Sequence, residues 1–199
     1  AMPAPEFRLS PMLLLGEPGI GKTFLASQLA DALGVPSEKI SAGGGHGSFQ
    51  LTGSHSTWTG AQHGAVAALL AKSAFAAPVL VIDEVDKLSD GRHPLLPVLL
   101  DLLDAGTAKR FRDEYFEMEL DASRMVVVLT ANDISKVPAP LLSRVQVFTV
   151  PAPQPAQRLR IIEQTMAALV RKTGHCIGLA PGAPEQLSQR MDIDLRQLP

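Results

Sequence analysis

The sequence predicts an α/β fold of three layers, with helices on both faces of a parallel sheet, followed by a small helical segment. Two observations lead to this fold. Four apolar runs predict strands, and helical patterns lie between them, an alternation that favours a doubly wound sheet. Two more helical patterns follow the proline-rich residues 151–155. We therefore expect a large α/β domain over residues 1–150 and a truncated helical lid over residues 151–199.

The first half of the chain predicts a strand, a helix, a loop, a second helix and a second strand. Their spans are residues 12–15, 22–33, 41–60, 61–77 and 79–82. The first helix has apolar side chains at helical spacing and stops at Gly34 and Pro36. The loop is rich in glycine, serine and threonine, which indicates mobility. The second strand is a β-branched run typical of burial on both faces.

The second half predicts a helix, a hairpin, a strand, a short helix, a third clear strand and two final helices. Their spans are residues 94–103, 109–120, 125–129, 138–143, 145–150, 156–172 and 183–191. The first of these helices begins near its prolines, and we expect Gly106 to close it. For residues 109–120, charged residues alternate with apolar ones, which predicts either a short hairpin or an extended stretch.

Composition limits the class of protein. The 199 residues carry 18 basic and 20 acidic side chains, a formal net charge of -2, which gives no overall attraction to nucleic acid or to an anionic membrane. Cys176 is the only cysteine, so no internal disulfide can form. With no signal peptide and no long apolar segment, the expected compartment is the cytoplasm. The five histidines show no metal-ligand spacing, so no zinc site is expected.

A glycine-rich motif between the first strand and the first helix predicts a nucleotide site. It reads Gly16-Glu17-Pro18-Gly19-Ile20-Gly21-Lys22-Thr23 and matches the G-x-x-x-x-G-K-[ST] phosphate loop in the right structural context. Glycines let backbone N–H groups surround an anion, and the following helix adds its unpaired N-terminal donors. We expect Lys22 to reach the outer phosphates of ATP, and Thr23 to hold Mg²⁺ through its hydroxyl.

Two carboxylates follow the buried strand of residues 79–82. Asp83 and Glu84 therefore lie at its carboxyl end, where open α/β sheets bind ligands. Asp83 can hold Mg²⁺, partly through water, and Glu84 can orient and deprotonate the attacking water. Asn132 follows the next buried strand, where it either reaches the same water or the γ-phosphate, or caps a turn. The carboxylate pair favours an ATP hydrolase over a phosphotransferase.

These segments resemble the AAA+ ATPases and, among them, the ATPase module of Lon-type proteases, and the similarity covers most of the chain. Residues 16–23 resemble Walker A, residues 79–88 Walker B and residues 130–132 the sensor-1 segment, while residues 111–115 point to Lon. The resemblance implies the P-loop AAA+ fold, ATP hydrolysis, and a homo-oligomeric ring, usually a hexamer. It also implies a protein substrate that the ring unfolds and translocates.

The resemblance assigns residues outside the central motifs. Arg144 corresponds to the arginine finger that stabilises charge on the nucleotide of a neighbouring subunit, although an arginine at a helix end is more often a capping or surface charge. Arg196 resembles the sensor-2 arginine of the lid. Trp58-Thr59-Gly60 aligns with the aromatic pore loop that grips polypeptide. The alternative for the tryptophan is a place in the core beside Phe49.

Two other functions stay open beside the motor. A nucleotide-dependent switch or loader would remodel a protein or DNA complex without threading it, but the basic residues form no stripe, so nucleic-acid binding is disfavoured. A small-molecule kinase would need an arginine-rich lid. In the family, a helical segment precedes the first strand, and in Lon a peptidase domain follows the lid. Because eleven residues precede Met12, we expect a fragment or a reduced relative that binds nucleotide weakly and assembles poorly.

Overall fold

A computed structural model of the chain describes residues 9–44, 47–73, 77–88, 93–174 and 182–189. The chain divides into two compact units, Ala1–Leu15 with Lys22–Thr149, and Gly16–Gly21 with Val150–Pro199. The domain boundary expected near residue 150 stays a prediction. Arg196 and the last two residues of the predicted final helix lie outside the described residues.

The first unit is built on a parallel sheet. Its strands in chain order are β1 (Met12–Leu15), β2 (Ser37–Ser41), β3 (Val79–Asp83), β4 (Phe111–Asp113), β5 (Met118–Leu120), β6 (Val126–Ala131) and β7 (Gln146–Thr149). The five-stranded sheet has the order β2-β3-β6-β1-β7, and all of its neighbouring strands are parallel. Strands β4 and β5 pair separately as an antiparallel hairpin, which is one of the two structures that the sequence left open for residues 109–120. The predicted α/β fold is confirmed.

Helices connect these strands. Those of the first unit are α1 (Lys22–Leu33), α2 (Phe49–Thr52), α3 (Ala65–Lys72), α4 (Leu95–Leu103), α5 (Ala105–Ala108) and α6 (Ala139–Leu142), with 3-10 turns at Val85–Lys87 and Ile134–Lys136. The second unit contains α7 (Pro155–Thr173) and α8 (Ala183–Gln189). Helix α7 starts where the Gln154 backbone N–H donates to the Gln157 side chain at 2.8 Å. It ends at Gly174, whose φ of 69° suits glycine.

The core of the first unit lies on the central strands. Every residue of β6 is buried, as are the four apolar residues of β3. Helix α4 adds Leu95, Leu99, Leu102 and Leu103, which recur at helical spacing and face this core. Because the central strands are buried, their polar side chains lie near the ends of the strands.

Three elements differ from the sequence prediction. Strand β2 was not predicted from the sequence. Only Ile40 among its five residues is buried, and its polar side chains suit an edge strand. The predicted helix over residues 61–77 is shorter: α3 begins after Gly64, where a side chain would collide with the Leu51 carbonyl. Gly106 does not close α4. Asp104 ends that helix and caps α5, accepting hydrogen bonds from the backbone of Gly106 and Thr107.

Candidate active site

The fold brings five of the predicted site residues together at one edge of the sheet. Lys22 and Thr23 begin α1, Asp83 and Glu84 end β3, and Asn132 follows β6. Strand β6 lies between β3 and β1, and all three are parallel, so their carboxyl ends meet at the same edge. This is the place where α/β sheets bind ligands.

The Lys22 side chain is buried and lies beside Asn132, the first residue after β6. It is 7% exposed, and its Nζ donates to Oδ1 of Asn132 at 2.8 Å. The Asn132 amide is neutral, so this hydrogen bond positions the lysine without forming an ion pair between the two side chains. The Asn132 side chain therefore reaches the phosphate-loop lysine, and of the two interpretations of Asn132 this favours the one in which it faces the nucleotide.

One oxygen of the Asp83 carboxylate accepts hydrogen bonds from two hydroxyl groups. Oδ1 accepts hydrogen bonds from the hydroxyls of Thr23 at 2.9 Å and Thr130 at 2.6 Å. Oδ2 lies 3.7 Å from Nζ of Lys39, an exposed residue of β2. Sequence reasoning placed Thr130 in the segment that resembles sensor 1 but gave it no role of its own, and it missed Lys39. The register of the parallel strands is the information that identifies both residues, because Lys39 lies on β2 and Thr130 on β6, the two strands that flank Asp83.

Glu84 has an unusual backbone conformation and a basic neighbour. Its φ of 60° and ψ of 52° lie in the left-handed region, which costs about 1–2 kcal/mol for a residue with a Cβ. Its backbone N–H donates to the Thr130 hydroxyl at 3.0 Å. Nζ of Lys87 lies 2.9 Å from Oε2 of Glu84, and this hydrogen bond and the carboxylate charge raise the pKa of the Lys87 ammonium above its ordinary value.

The Asp86 side chain stabilises the turn that follows β6 by accepting backbone hydrogen bonds. Its Oδ2 accepts the backbone N–H of Asn132 at 3.1 Å and that of Asp133 at 3.3 Å. Its Oδ1 is buried and has no hydrogen-bond partner within the part of the chain that the structure describes. Asp86 belongs to the segment that resembles Walker B, but its contact with the sensor turn could not be predicted from spacing.

The glycine-rich loop, Gly16–Gly21, has the backbone that its motif requires. Gly19 has a φ of 77° and Gly21 a φ of 94°, values that residues with a Cβ rarely adopt. At Gly16 a Cβ would lie 2.6 Å from the Val150 carbonyl oxygen. Glu17 and Pro18 are exposed, and Ile20 is partly buried. This loop leads from the first strand to Lys22, as the phosphate-loop motif predicts.

The oxygen atoms near Thr23 suit Mg²⁺. A hydroxyl and a carboxylate oxygen 2.9 Å apart are the hard ligands that this ion prefers, and the rest of its shell normally comes from water and phosphate. One hydroxyl can donate its proton to Asp83 and offer a lone pair to the ion. The described residues contain no group of three or more histidine, cysteine or acidic side chains placed to hold a metal.

Residues 12–151 match the ATPase family associated with various cellular activities (AAA). This chain belongs to the AAA family of ATPases. That match extends from β1 to just past β7 and contains the whole Lys22–Asn132 cluster, so the predicted family and the predicted ATPase class are confirmed.

Relatives of this AAA chain include Lon proteases. The chain is 35% identical over 182 residues to the mitochondrial Lon protease homolog of Phaeodactylum tricornutum, which is 91% of the chain and 20% of that protein. It is 35% identical over 168 residues to the Lon protease of Neorickettsia sennetsu, 84% of the chain and 20% of that protein. The chain therefore spans a fifth of the length of these relatives, and the predicted resemblance to Lon is confirmed.

A solved structure shares the fold of this AAA chain. A closed-state cryo-EM reconstruction of Hsp104 with ATPγS and FITC casein has a TM-score of 0.71 at 20% identity, and covers 98% of the chain and 38% of that one. None of the helices in the described part of the chain combines the length and the apolar character needed to cross a bilayer.

Four predicted site residues of this AAA chain lie outside the cluster, and a fifth falls outside the described residues. Arg144 is exposed, and its Nη1 donates to the Pro140 carbonyl at 3.1 Å. Trp58 is 52% exposed, so it is not in the core, although its ring meets Phe49 edge-on with centroids 5.4 Å apart. Thr59 and Gly60 are also exposed. Arg196 is not among the described residues.

The hairpin of β4 and β5 fastens the end of the segment that carries Trp58. Asp113 is fully buried, and its Oδ2 accepts the backbone N–H of Gly64 at 2.9 Å. Its Oδ1 accepts the backbone N–H groups of Tyr115 and Phe116, each at 3.0 Å. The Phe116 ring stacks on His63 with centroids 6.0 Å apart. One carboxylate thus fixes both the hairpin turn and the start of α3.

Proposed function

We propose that this chain is an ATP-hydrolysing motor domain that works in a homo-oligomeric ring, a hexamer by family resemblance, and uses ATP to unfold and translocate protein substrates. The observation that carries the hydrolytic part is the cluster at the sheet edge. Lys22 is held by Asn132 at 2.8 Å, Thr23 by Asp83 at 2.9 Å, and Glu84 follows directly. Membership of the AAA family supports the same chemistry.

Each residue of the cluster has a distinct role in this proposal. Lys22 and the backbone of Gly16–Gly21, including Glu17 and Ile20, bind the phosphates. Thr23 and Asp83 would hold Mg²⁺, which when bound neutralises charge on the β- and γ-phosphates. Glu84 accepts a proton from the attacking water, because its carboxylate follows the metal-side aspartate directly. Asn132 keeps Lys22 aimed at the phosphates.

The exposed position of Arg144 supports the proposed ring. Its guanidinium donates to the Pro140 carbonyl of its own helix turn, and an exposed arginine at this place is accessible to a neighbouring subunit. There it would stabilise the charge that develops on that subunit's nucleotide. Arg196 is proposed to bind the nucleotide from the lid, as a sensor-2 arginine. The family resemblance is the basis for proposing the ring.

Protein threading is proposed from the exposed Trp58 and from the Lon relatives. A half-exposed ring at the end of a glycine-rich segment can pack against any apolar side chain, so it grips polypeptide without reading sequence. No membrane or nucleic-acid partner is proposed, since the net charge is close to neutral. The cytoplasm is the proposed compartment, although one relative is named as mitochondrial.

The variant Glu84→Gln in the full-length protein tests hydrolysis. It removes the proton acceptor but leaves the phosphate contacts, so ATP turnover should fall by about 10²–10⁴-fold while ATP affinity is unchanged. Steady-state phosphate release and equilibrium binding of a fluorescent ATP analogue measure the two quantities. Unchanged turnover would exclude Glu84 as the base.

The variant Trp58→Ala tests threading. We expect basal ATP turnover to remain while unfolding of a tagged protein substrate stops. Phe116→Ala is the matched control, because Phe116 is also 52% exposed but lies on the hairpin. Equal unfolding rates for Trp58→Ala and the unaltered protein would remove the threading part and leave a nucleotide-dependent switch as the better function.

A further inference from the structure

Thr130 lies at the centre of the catalytic cluster, although neither the phosphate-loop motif nor the acidic motif includes it. It is the fifth residue of β6 and is 1% exposed. Its single hydroxyl makes two hydrogen bonds, donating to Oδ1 of Asp83 at 2.6 Å and accepting from the backbone N–H of Glu84 at 3.0 Å. The group therefore joins the two acidic residues that end β3 to the sensor strand.

The two hydrogen bonds fix different parts of the site. The bond to Asp83 holds the carboxylate so that the same oxygen also meets the Thr23 hydroxyl at 2.9 Å. The bond from Glu84 satisfies a backbone N–H in the left-handed conformation at φ 60° and ψ 52°, which a residue with a Cβ adopts at a cost. Loss of that bond would leave a backbone N–H unsatisfied and would make the left-handed conformation of Glu84 less favourable.

We propose that Thr130 is a positioning residue for ATP hydrolysis: its hydroxyl fixes the left-handed backbone of Glu84 and the carboxylate of Asp83 at the same time. This inference rests on the proposed function, because Glu84 must be the water-activating base for its position to matter. The hydroxyl of Thr130 contacts Asp83 and Glu84, so Thr130 would act through these two residues. Its loss should therefore lower kcat more than it weakens ATP binding.

The experiment compares Thr130→Val, which keeps the shape but loses the hydroxyl, with Thr130→Ser, which keeps the hydroxyl. In the full-length protein we expect Thr130→Val to lower kcat about 10–100-fold with less than a threefold change in the Kd for ATP, and Thr130→Ser to restore most of kcat. Thr107→Val is the matched control. The Thr107 hydroxyl also makes a hydrogen bond, to the Asp101 carbonyl, but lies outside the cluster.

A second readout needs no turnover. Amide hydrogen exchange of nucleotide-free protein should show faster exchange at Glu84 in Thr130→Val, normal exchange in Thr130→Ser, and unchanged protection in β3. If Thr130→Val unfolds, Thr130→Ala gives the same comparison with a smaller side chain. Unchanged kcat and Glu84 exchange in the valine variant, or a serine variant as impaired as the valine one, would overturn the inference.

The failure of this inference can be separated from the failure of the proposed function. If Glu84→Gln abolishes turnover but Thr130→Val leaves it intact, only the role of Thr130 is wrong. If Glu84→Gln leaves turnover intact, the base assignment itself is wrong. In the Glu84→Gln background, Thr130→Val should have little additional effect on turnover, because both changes act on the same step.

Discussion

Nζ of Lys22 and Oδ1 of Asn132 lie 2.8 Å apart, although 110 residues separate them in the chain. The contact joins the start of α1 to the turn after β6. Because the Asn132 amide carries no charge, it positions the buried Lys22 side chain without forming an ion pair with it. The Asn132 side chain thus sets the direction of the lysine without competing with phosphate.

The charge of residue 132 should therefore control ATP affinity. Asn132→Asp places a carboxylate against Lys22, and the new ion pair competes with phosphate, so the Kd for ATP should rise about tenfold or more. Asn132→Ala removes the hydrogen bond without adding charge and should weaken ATP binding less. Titration with a fluorescent ATP analogue measures both, and equal affinities for the two variants would contradict this role.

The ion pair between Lys87 and Glu84 should restrain hydrolysis. The ammonium occupies the carboxylate at 2.9 Å, and this contact must open before Glu84 accepts a proton from water. Both side chains reach solvent, and exposed pairs are worth at most about 1 kcal/mol. Lys87→Met should therefore raise kcat by up to about fivefold with little change in thermal stability.

Lys136→Met is the matched control for that measurement. Lys136 forms a similar exposed pair with Asp133 at 3.3 Å but makes no contact with Glu84 in the described structure. The kcat of the Lys136→Met variant should equal that of the unaltered protein. A fall in kcat for Lys87→Met would show instead that the ammonium helps to hold Glu84 in its working position.

The buried Asp113 predicts a large stability effect from a small change. Asp113→Asn keeps the shape but replaces an acceptor oxygen by an N–H donor that faces the backbone N–H of either Gly64 or the hairpin turn. An unsatisfied buried pair of this kind should lower the free energy of unfolding by about 2 kcal/mol. Urea unfolding measures it, with the exposed Asp101→Asn as control, expected within about 0.5 kcal/mol of the unaltered protein.

The sequence predicted the central fold well because its strongest signals are local. The apolar run of β3 and the helical spacing of α1 each lie within a dozen residues, and both elements form where expected. Strand β2 escaped because an edge strand needs few buried residues, and its Ser37–Ser41 run looks like loop. Helix α3 was predicted too long because alanine-rich composition does not mark where a glycine must start the helix.

For the site, motifs predicted which residues meet but not how they are held. Asp83, Lys22 and Asn132 were expected at one sheet edge, and parallel strands bring them there. Thr130 and the backbone contacts of Asp86 depend on strand register and on turn conformation, which spacing along the chain does not encode. Tertiary structure therefore adds the hydrogen bonds that orient the catalytic groups.

Acid should weaken the turn before β6 through Asp121. Its Oδ1 accepts the Ser123 hydroxyl at 2.6 Å and the Ser123 backbone N–H at 3.0 Å, and these hydrogen bonds lower the pKa of the Asp121 carboxyl. The unfolded chain therefore binds a proton more readily than the folded chain. This contribution to stability is fully present above the ordinary pKa of 3.8 and is lost as pH falls through the lower folded value.

The variant Asp121→Asn should consequently lower the thermal midpoint at neutral pH, and its difference from the unaltered protein should shrink as the pH falls below about 5 toward the folded pKa. Ser123→Ala keeps the carboxylate and the backbone donor but removes the hydroxyl, so it should produce a smaller shift in the same direction. Thermal unfolding followed by circular dichroism between neutral and acid pH measures both. A difference for Asp121→Asn that stays constant across this range would show that the charged form of Asp121 does not stabilise the fold.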